Sequence, residues 1–255
     1  MNSPTHSLIA LTVLSKKGDS TRNWAIFLGS IIPDAVIYLW APYQAFIQHR
    51  SWAEIWNTLY FEAPMQNLIA YVNSVPIYAL LALVGFVFRV RLWGQLCLVF
   101  SLAALLHIAF DLPVHNHDAY RHFWPISDWR FYSPLSYYET THHARWVSLV
   151  EAAIAALCIL ILWRRFAQRW VKVVLTVLAF AYISIQFAIT ANATAPSDSS
   201  ILQNQERNIR PGSLGQIQLV HDEQKNADGP DVPNKRYQNA IGRHGQQVSF
   251  PCSAL

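Results

Sequence analysis

The sequence predicts an all-α protein, a polytopic helical bundle in a membrane, and two observations support that prediction. Of the 255 residues, 53% are hydrophobic and only 13% are charged, against about 25% charged in an ordinary soluble domain. The apolar residues form runs long enough to cross a bilayer, and the basic residues lie in short clusters between those runs. This arrangement excludes a soluble globular enzyme and a nucleic-acid binder with a basic face.

Five apolar runs have the length of about 17–25 residues that a transmembrane helix needs. They are Trp24–Trp40, Leu68–Phe88, Leu92–Phe110, Val147–Trp163 and Val171–Thr190. A shorter apolar stretch within residues 4–15 precedes Lys16 and Lys17, and a secretory signal has the opposite order of charge and apolar run. We therefore expect a short N-terminal helix that begins near Ser3, with Pro4 in its first turn, and folds back on the first span.

The charges in the connections predict an orientation. Basic residues cluster after the short helix, the second span and the fourth span: Lys16, Lys17, Arg22, Arg89, Arg91, Arg164, Arg165, Arg169 and Lys172. The other connections, 41–67 and 111–146, have few basic residues and many aromatic ones. The positive-inside rule places the basic clusters in the cytoplasm and the two longer connections outside, where aromatic residues are typical of the lipid headgroup region.

Composition divides the chain into two parts. Residues 1–190 form the predicted transmembrane domain, whereas residues 191–255 are rich in Asn, Gln, Ser, Gly and Pro and carry balanced charge. Such a composition predicts a disordered polar tail. The cysteines Cys97, Cys158 and Cys252 are too far apart for a disulfide framework or a zinc ribbon.

Polar side chains within the predicted helices are candidates for function, because an ionisable one costs about 2.5–3.5 kcal/mol on insertion scales. They are His6, Asp34, Asn73, His107, Asp111 and Glu151. With a rise of about 1.5 Å per residue from the cytoplasmic turns, all of them lie in the outer half of the membrane or at its outer boundary. Polar side chains on helices that are far apart in sequence thus predict one buried polar site.

His107 and Asp111 share one helix face, because they are four residues apart. A histidine-rich segment follows, with His115, Asp118 and His122. Imidazoles and carboxylates are ligands of zinc, manganese and iron, and a cation would also offset carboxylates at this depth. The pattern predicts a divalent metal site, although hydrogen-bonded interfacial histidines are the simpler alternative for this segment. The predicted ligands are His6, Asp34, His107, Asp111, His115 and His122.

The order of several motifs resembles a known family. The motifs are P-T-H at Pro4–His6, G-S-x-x-P-D at Gly29–Asp34, H-x3-D at His107–Asp111, H-x-x-D at His115–Asp118 and a later W-P pair. This order resembles the bacterial inner-membrane metal-dependent hydrolases, some of which are regulated by the DNA-damage repressor. The resemblance covers about residues 3–163 and leaves out the tail.

The resemblance implies a membrane-embedded site similar to those of zinc-dependent phospholipases C and related nucleases. Matched by motif, the implied metal ligands and flanking residues are His6, Asp34, His107, Asp111, His115, Asp118 and His122. The sequence departs from the family at Asn73 and Tyr120, where family members usually have histidine.

Two classes of function remain open. The first is metal-dependent hydrolysis of a phosphoester, with a membrane lipid as the expected substrate and Asp118 or Glu151 as general base. The second is a non-catalytic membrane protein, either a degenerate relative with a structural metal or a metal or proton conduit. Asn73 and Tyr120 favour the second class, whereas the complete H-x3-D motif favours the first. A haem-binding bundle is a weaker alternative, because it has no need of the carboxylates.

Overall fold

The predicted membrane spans and the short N-terminal helix are confirmed. The computed structural model describes residues 1–194, and within that range the chain is helical and contains no strand. Five helical segments are long and apolar enough to cross a membrane: Ser20–Ile47, Ala63–Val87, Leu92–Val114, Ala144–Arg165 and Arg169–Ile189.

Eight α-helices make up this part of the chain. They are α1 (Ser3–Leu14), α2 (Ser20–Pro42), α3 (Trp52–Asn57), α4 (Ala63–Val72), α5 (Val75–Val87), α6 (Leu92–Asp111), α7 (Ala144–Arg165) and α8 (Arg169–Thr194). Residues 191–194 of the predicted tail complete α8, and the rest of the tail lies outside the described residues.

The turn between α1 and α2 makes the two helices antiparallel. Gly18 has a φ of +83°, which glycine adopts at little cost. Asp19 caps α2, since its side chain accepts a hydrogen bond from the Arg22 backbone N–H at 3.0 Å. Asn23 then closes the turn by donating to the Lys16 carbonyl and accepting from the Lys16 N–H, both at 2.9 Å.

Helices α2 and α6 approach closely at Gly29. A Cβ atom at this position would lie 2.2 Å from the backbone oxygen of Phe100, so only glycine allows the two backbones this near to each other. A buried apolar cluster of Ala10, Ile26, Val99 and Ala103 joins α1, α2 and α6 nearby. These contacts hold α1, α2 and α6 side by side.

The second predicted span is interrupted at Asn73, between α4 and α5. Ser74 caps α5 by accepting from the Ile77 N–H at 3.2 Å, and Pro76 in its first turn cannot continue the hydrogen-bonding of α4. The Tyr78 hydroxyl donates to the Val72 carbonyl at 2.9 Å. A side chain thus satisfies a backbone acceptor at the break, as burial in a membrane requires.

The connection between α6 and α7 folds back on the C-terminal end of α6. The backbone N–H groups of Ser133 and Tyr137 donate to the carbonyls of His115 and Val114, at 3.0 and 3.1 Å. Arg130 donates to the Gln66 side chain at 3.1 Å and so ties this loop to α4. The loop thereby encloses the residues that follow Asp111.

Candidate metal centre

Three imidazole rings converge on the carboxylate of Asp111. The Nε2 atom of His6 lies 2.9 Å from Asp111 Oδ1, that of His107 lies 3.1 Å from Oδ2, and that of His115 lies 3.4 Å from Oδ1. All four residues are at most 3% exposed, and the rings of His6 and His107 stack at 3.7 Å. His6, His107 and Asp111 form a buried group that could hold a metal ion, since each offers one ligand atom within 4.8 Å of the others.

Two of these rings are oriented through their other nitrogen. His107 Nδ1 lies 2.8 Å from the carbonyl oxygen of Ser30, and His115 Nδ1 lies 2.8 Å from Oδ2 of Asp118. Both partners are acceptors, so each Nδ1 carries the proton and donates it. This arrangement fixes the tautomer and directs Nε2 at Asp111, as in metal sites whose histidines are held by outer carboxylates or carbonyls.

The donor set fits a divalent cation. In a neutral ring protonated at Nδ1, the Nε2 lone pair would face the Asp111 carboxylate oxygens directly. That contact is repulsive unless Nε2 gains a proton or a cation lies between the ring and the carboxylate. Burial lowers the pKa of His115, but the Asp118 and Asp111 carboxylates raise it to about 9. When no metal ion is bound, a proton on His115 Nε2 therefore takes the place of the ion, and the Met1 ammonium lies 2.7 Å from Asp111 Oδ1.

Asp34 belongs to the same cluster. Its Oδ1 atom lies 3.4 Å from His107 Nε2, and its Oδ2 atom accepts a short hydrogen bond from the Ser3 hydroxyl. The Ser3 hydroxyl also lies 2.9 Å from the hydroxyl of Tyr38. With 12% of its side chain exposed, against 2% or less for His6, His107 and Asp111, Asp34 lies at a more accessible edge of the cluster.

His6 and Asp34 are nearly equidistant in sequence from the centre of the Ser15–Asn23 turn, which predicts that they face each other. The register of α1 against α2 in the structure is different. In the structure Ser3 contacts Asp34 and Ser7 contacts Ser30, the latter at 2.9 Å, so His6 lies about one helical turn away from that position. His6 reaches the cluster because it stacks on α6 instead.

The two predicted general bases occupy different places. Asp118 holds His115 through Oδ2, and its Oδ1 atom is buried without a hydrogen-bond partner among the described residues. Glu151 instead accepts from the Asn2 backbone N–H at 2.8 Å and from the Thr5 hydroxyl at 2.6 Å. Asp118 is therefore adjacent to a cluster histidine, whereas these contacts of Glu151 are made with the start of α1.

His122 lies at the border of the cluster. Its Nδ1 atom is 3.2 Å from the carbonyl oxygen of Asn73, and burial lowers its pKa, which favours the neutral ring. Tyr120 packs against both His115 and His122, with ring centroids 4.7 and 5.7 Å apart. Burial raises the pKa of Tyr120 well above its usual range, so this residue is a neutral phenol beside the histidines.

Several residues of the site were not predicted from the sequence. Ser3, Ser30 and Tyr38 contact the cluster through a hydroxyl or a carbonyl group, and such residues are common in membrane helices. No local pattern distinguishes them from helix-packing residues. His117, in the middle of the histidine-rich segment, is exposed and packs against Phe61 at 4.9 Å.

Comparison of the chain with protein-family models, with curated proteins and with solved structures finds no match. The resemblance to the inner-membrane hydrolases therefore remains a hypothesis that rests on the motifs.

Proposed function

We propose that this membrane protein is a metal-dependent hydrolase of a phosphoester, with zinc as the metal and a membrane lipid as the substrate class. The observation that carries the proposal is the convergence of three Nε2 atoms on one carboxylate, at 2.9 to 3.4 Å. Imidazole and carboxylate ligands without thiolates suit zinc, manganese and iron. The motif resemblance supports zinc and a bacterial inner membrane.

His6, His107 and Asp111 would hold the ion, with Asp34 and His115 beside them. When bound, such an ion polarises a phosphoryl oxygen and makes a nearby water more acidic. Asp118 is the general base in this proposal. One oxygen of its carboxyl group, Oδ2, holds His115, and the other, Oδ1, is buried and has no hydrogen-bond partner among the described residues. The Nδ1 contacts of His107 with Ser30 and of His115 with Asp118 keep the Nε2 atoms of these two rings directed at Asp111.

The depth of the cluster supports a lipid substrate. Asp111 follows Arg91 by 20 residues of continuous helix, and about 1.5 Å per residue gives about 30 Å, the thickness of the hydrocarbon core. If Arg91 lies at one surface of the bilayer, Asp111 lies at the other, near the headgroups. Phosphoesters of membrane lipids are concentrated at that level.

A structural metal that joins the helices is the second candidate. The observation that favours it is burial, because the side chains of His6 and His107 are 0% exposed and hydrolysis needs access for substrate and water. Asn73 and Tyr120, at the positions where the resembling family usually has histidine, are also buried. Their described hydrogen bonds are made with residues other than Asp111.

Metal content and hydrolysis together separate these candidates. We expect the purified full-length protein to contain stoichiometric metal by elemental measurement. His107→Ala and Asp34→Asn should lower both the bound metal and the melting temperature, whereas the exposed neighbour variant His117→Ala should change neither. Absence of metal, with no effect of a chelator on melting, would overturn both candidates.

Catalysis is tested with a fluorescent phospholipid and with bis(4-nitrophenyl) phosphate, at saturating zinc. Asp118→Asn should retain metal and lose at least about 100-fold in rate, in line with typical effects of a general base. Metal without hydrolysis of either compound would support the structural role and contradict the enzyme proposal.

A further inference from the structure

The N-terminus of α1 has no cap from its own sequence. Asn2 occupies the N-cap position with an extended backbone, and its side chain makes no capping hydrogen bond. The first backbone N–H groups of a helix lack intrahelical acceptors and need partners from side chains, from water or from the rest of the protein. In α1 an acceptor comes from elsewhere in the bundle.

Glu151 of α7 provides that acceptor. Its Oε1 atom accepts from the Asn2 N–H at 2.8 Å and from the Thr5 hydroxyl at 2.6 Å, and the residue is 3% exposed. Since the Thr5 hydroxyl donates to Glu151, its hydrogen bond with the Tyr182 hydroxyl of α8 is donated by Tyr182. The carboxylate lies where the helix dipole favours negative charge.

The other end of α1 is held by the same helix. Arg165 Nη1 donates to the carbonyls of Leu11 and Thr12, at 3.1 and 2.8 Å, where the dipole favours positive charge. Glu151 and Arg165 are 14 residues apart, about 21 Å along α7, and the 12 residues of α1 span about 18 Å. The two helices thus run in the same direction, with an acid at one end of α1 and a base at the other.

We infer that Glu151 is a positioning residue that caps α1 in trans and thereby places His6 against His107 and Asp111. His6 directly follows Thr5, and its ring lies 3.7 Å from that of His107, so displacement of the first turn of α1 displaces one of the three imidazoles. The inference rests on the proposed metal site and gives Glu151 a role different from that of a general base.

Cobalt(II) binding to the purified full-length protein tests this role, because the visible absorption of cobalt reports both affinity and ligand geometry. Glu151→Leu should weaken binding at least tenfold and change the spectrum, and Glu151→Gln should do so to a smaller degree, because an amide oxygen keeps the acceptor without the charge. Thr5→Val should resemble Glu151→Gln, whereas Thr5→Ser should restore wild-type binding. The matched control is Ser148→Ala, which removes a hydrogen bond between α7 and Gln186 of α8 without touching α1.

Hydrogen exchange of residues 3–7 provides a readout that does not depend on metal. Exchange should be at least tenfold faster in Glu151→Leu than in the wild type or in Ser148→Ala. Wild-type cobalt affinity and spectrum in Glu151→Leu would overturn the positioning role. If the wild type binds no cobalt, the proposed metal function fails, and unchanged exchange in Glu151→Leu would separately disprove the cap.

Discussion

Helices α6 and α8 are almost equally apolar but differ in their place in the bundle. Their most apolar stretches have mean hydropathies of 2.0 and 1.9, yet 44% of that stretch is buried in α6 and only 6% in α8. Hydropathy reports entry into the membrane, where lipid is as favourable a neighbour for an apolar side chain as another helix. It does not report which helix forms the core.

The difference lies in small and polar residues. The buried face of α6 carries Ser101, Ala103, Ala104, His107 and Asp111. Small residues let α2 approach, and the two ionisable residues need partners that lipid cannot supply. Helix α8 contacts the rest of the described chain through a few positions, among them Leu175 and Tyr182. Polar residues on one face therefore identify the central helix better than hydropathy does.

The largest effect is expected at the contact between α2 and α6. Gly29→Val should lower the free energy of unfolding by about 3 kcal/mol, because its Cβ would overlap the Phe100 backbone oxygen and the helices must separate. Unfolding in a detergent titration measures this change. Ala181→Val, on the exposed face of α8, is the matched control and should have almost no effect. Equal effects of the two variants would contradict the assignment of α6 as the core helix.

A smaller difference is expected when side chains are shortened. Ile108→Ala in α6 removes a side chain that is 3% exposed and should cost about 2 kcal/mol through the cavity it leaves. Phe180→Ala in α8 removes a larger side chain that is 66% exposed, and lipid replaces its contacts. A greater loss for Phe180→Ala in the same titration would show that α8 is covered by protein, for example in an oligomer.

The smallest of these effects is expected at the C-terminus of α1. Arg165→Met should cost about 1 kcal/mol, because two carbonyls lose a charged hydrogen-bond donor. Arg164→Met changes an exposed neighbour and should leave the free energy of unfolding within about 0.5 kcal/mol of the wild type. Indistinguishable variants would show that Arg165 does not hold α1 in the membrane.

The sequence predicts the helices better than their interruptions. The number of spans follows from the length of apolar runs, which is a local property. The break at Asn73 was not predicted, although Ser74 followed by Pro76 is a helix start signal. An apolar run that continues through such a signal hides it, because hydropathy is unchanged where one helix ends and the next begins.

Residue type and position along the chain are enough to indicate which side chains are buried together. Ionisable side chains in apolar helices need partners, and estimated depths within about one to three helical turns of a common level make His6, Asp34, His107 and Asp111 candidates for one cluster. The structure brings all four into contact. The role of each carboxylate, in contrast, follows from the packing of the helices. Asp118 and Glu151 are equivalent as spare acids in the sequence, but one accepts from a histidine and the other from the start of a helix. The reason is that a carboxylate's role depends on the donors that surround it, and these come from helices whose rotation and register are set by packing across the bundle.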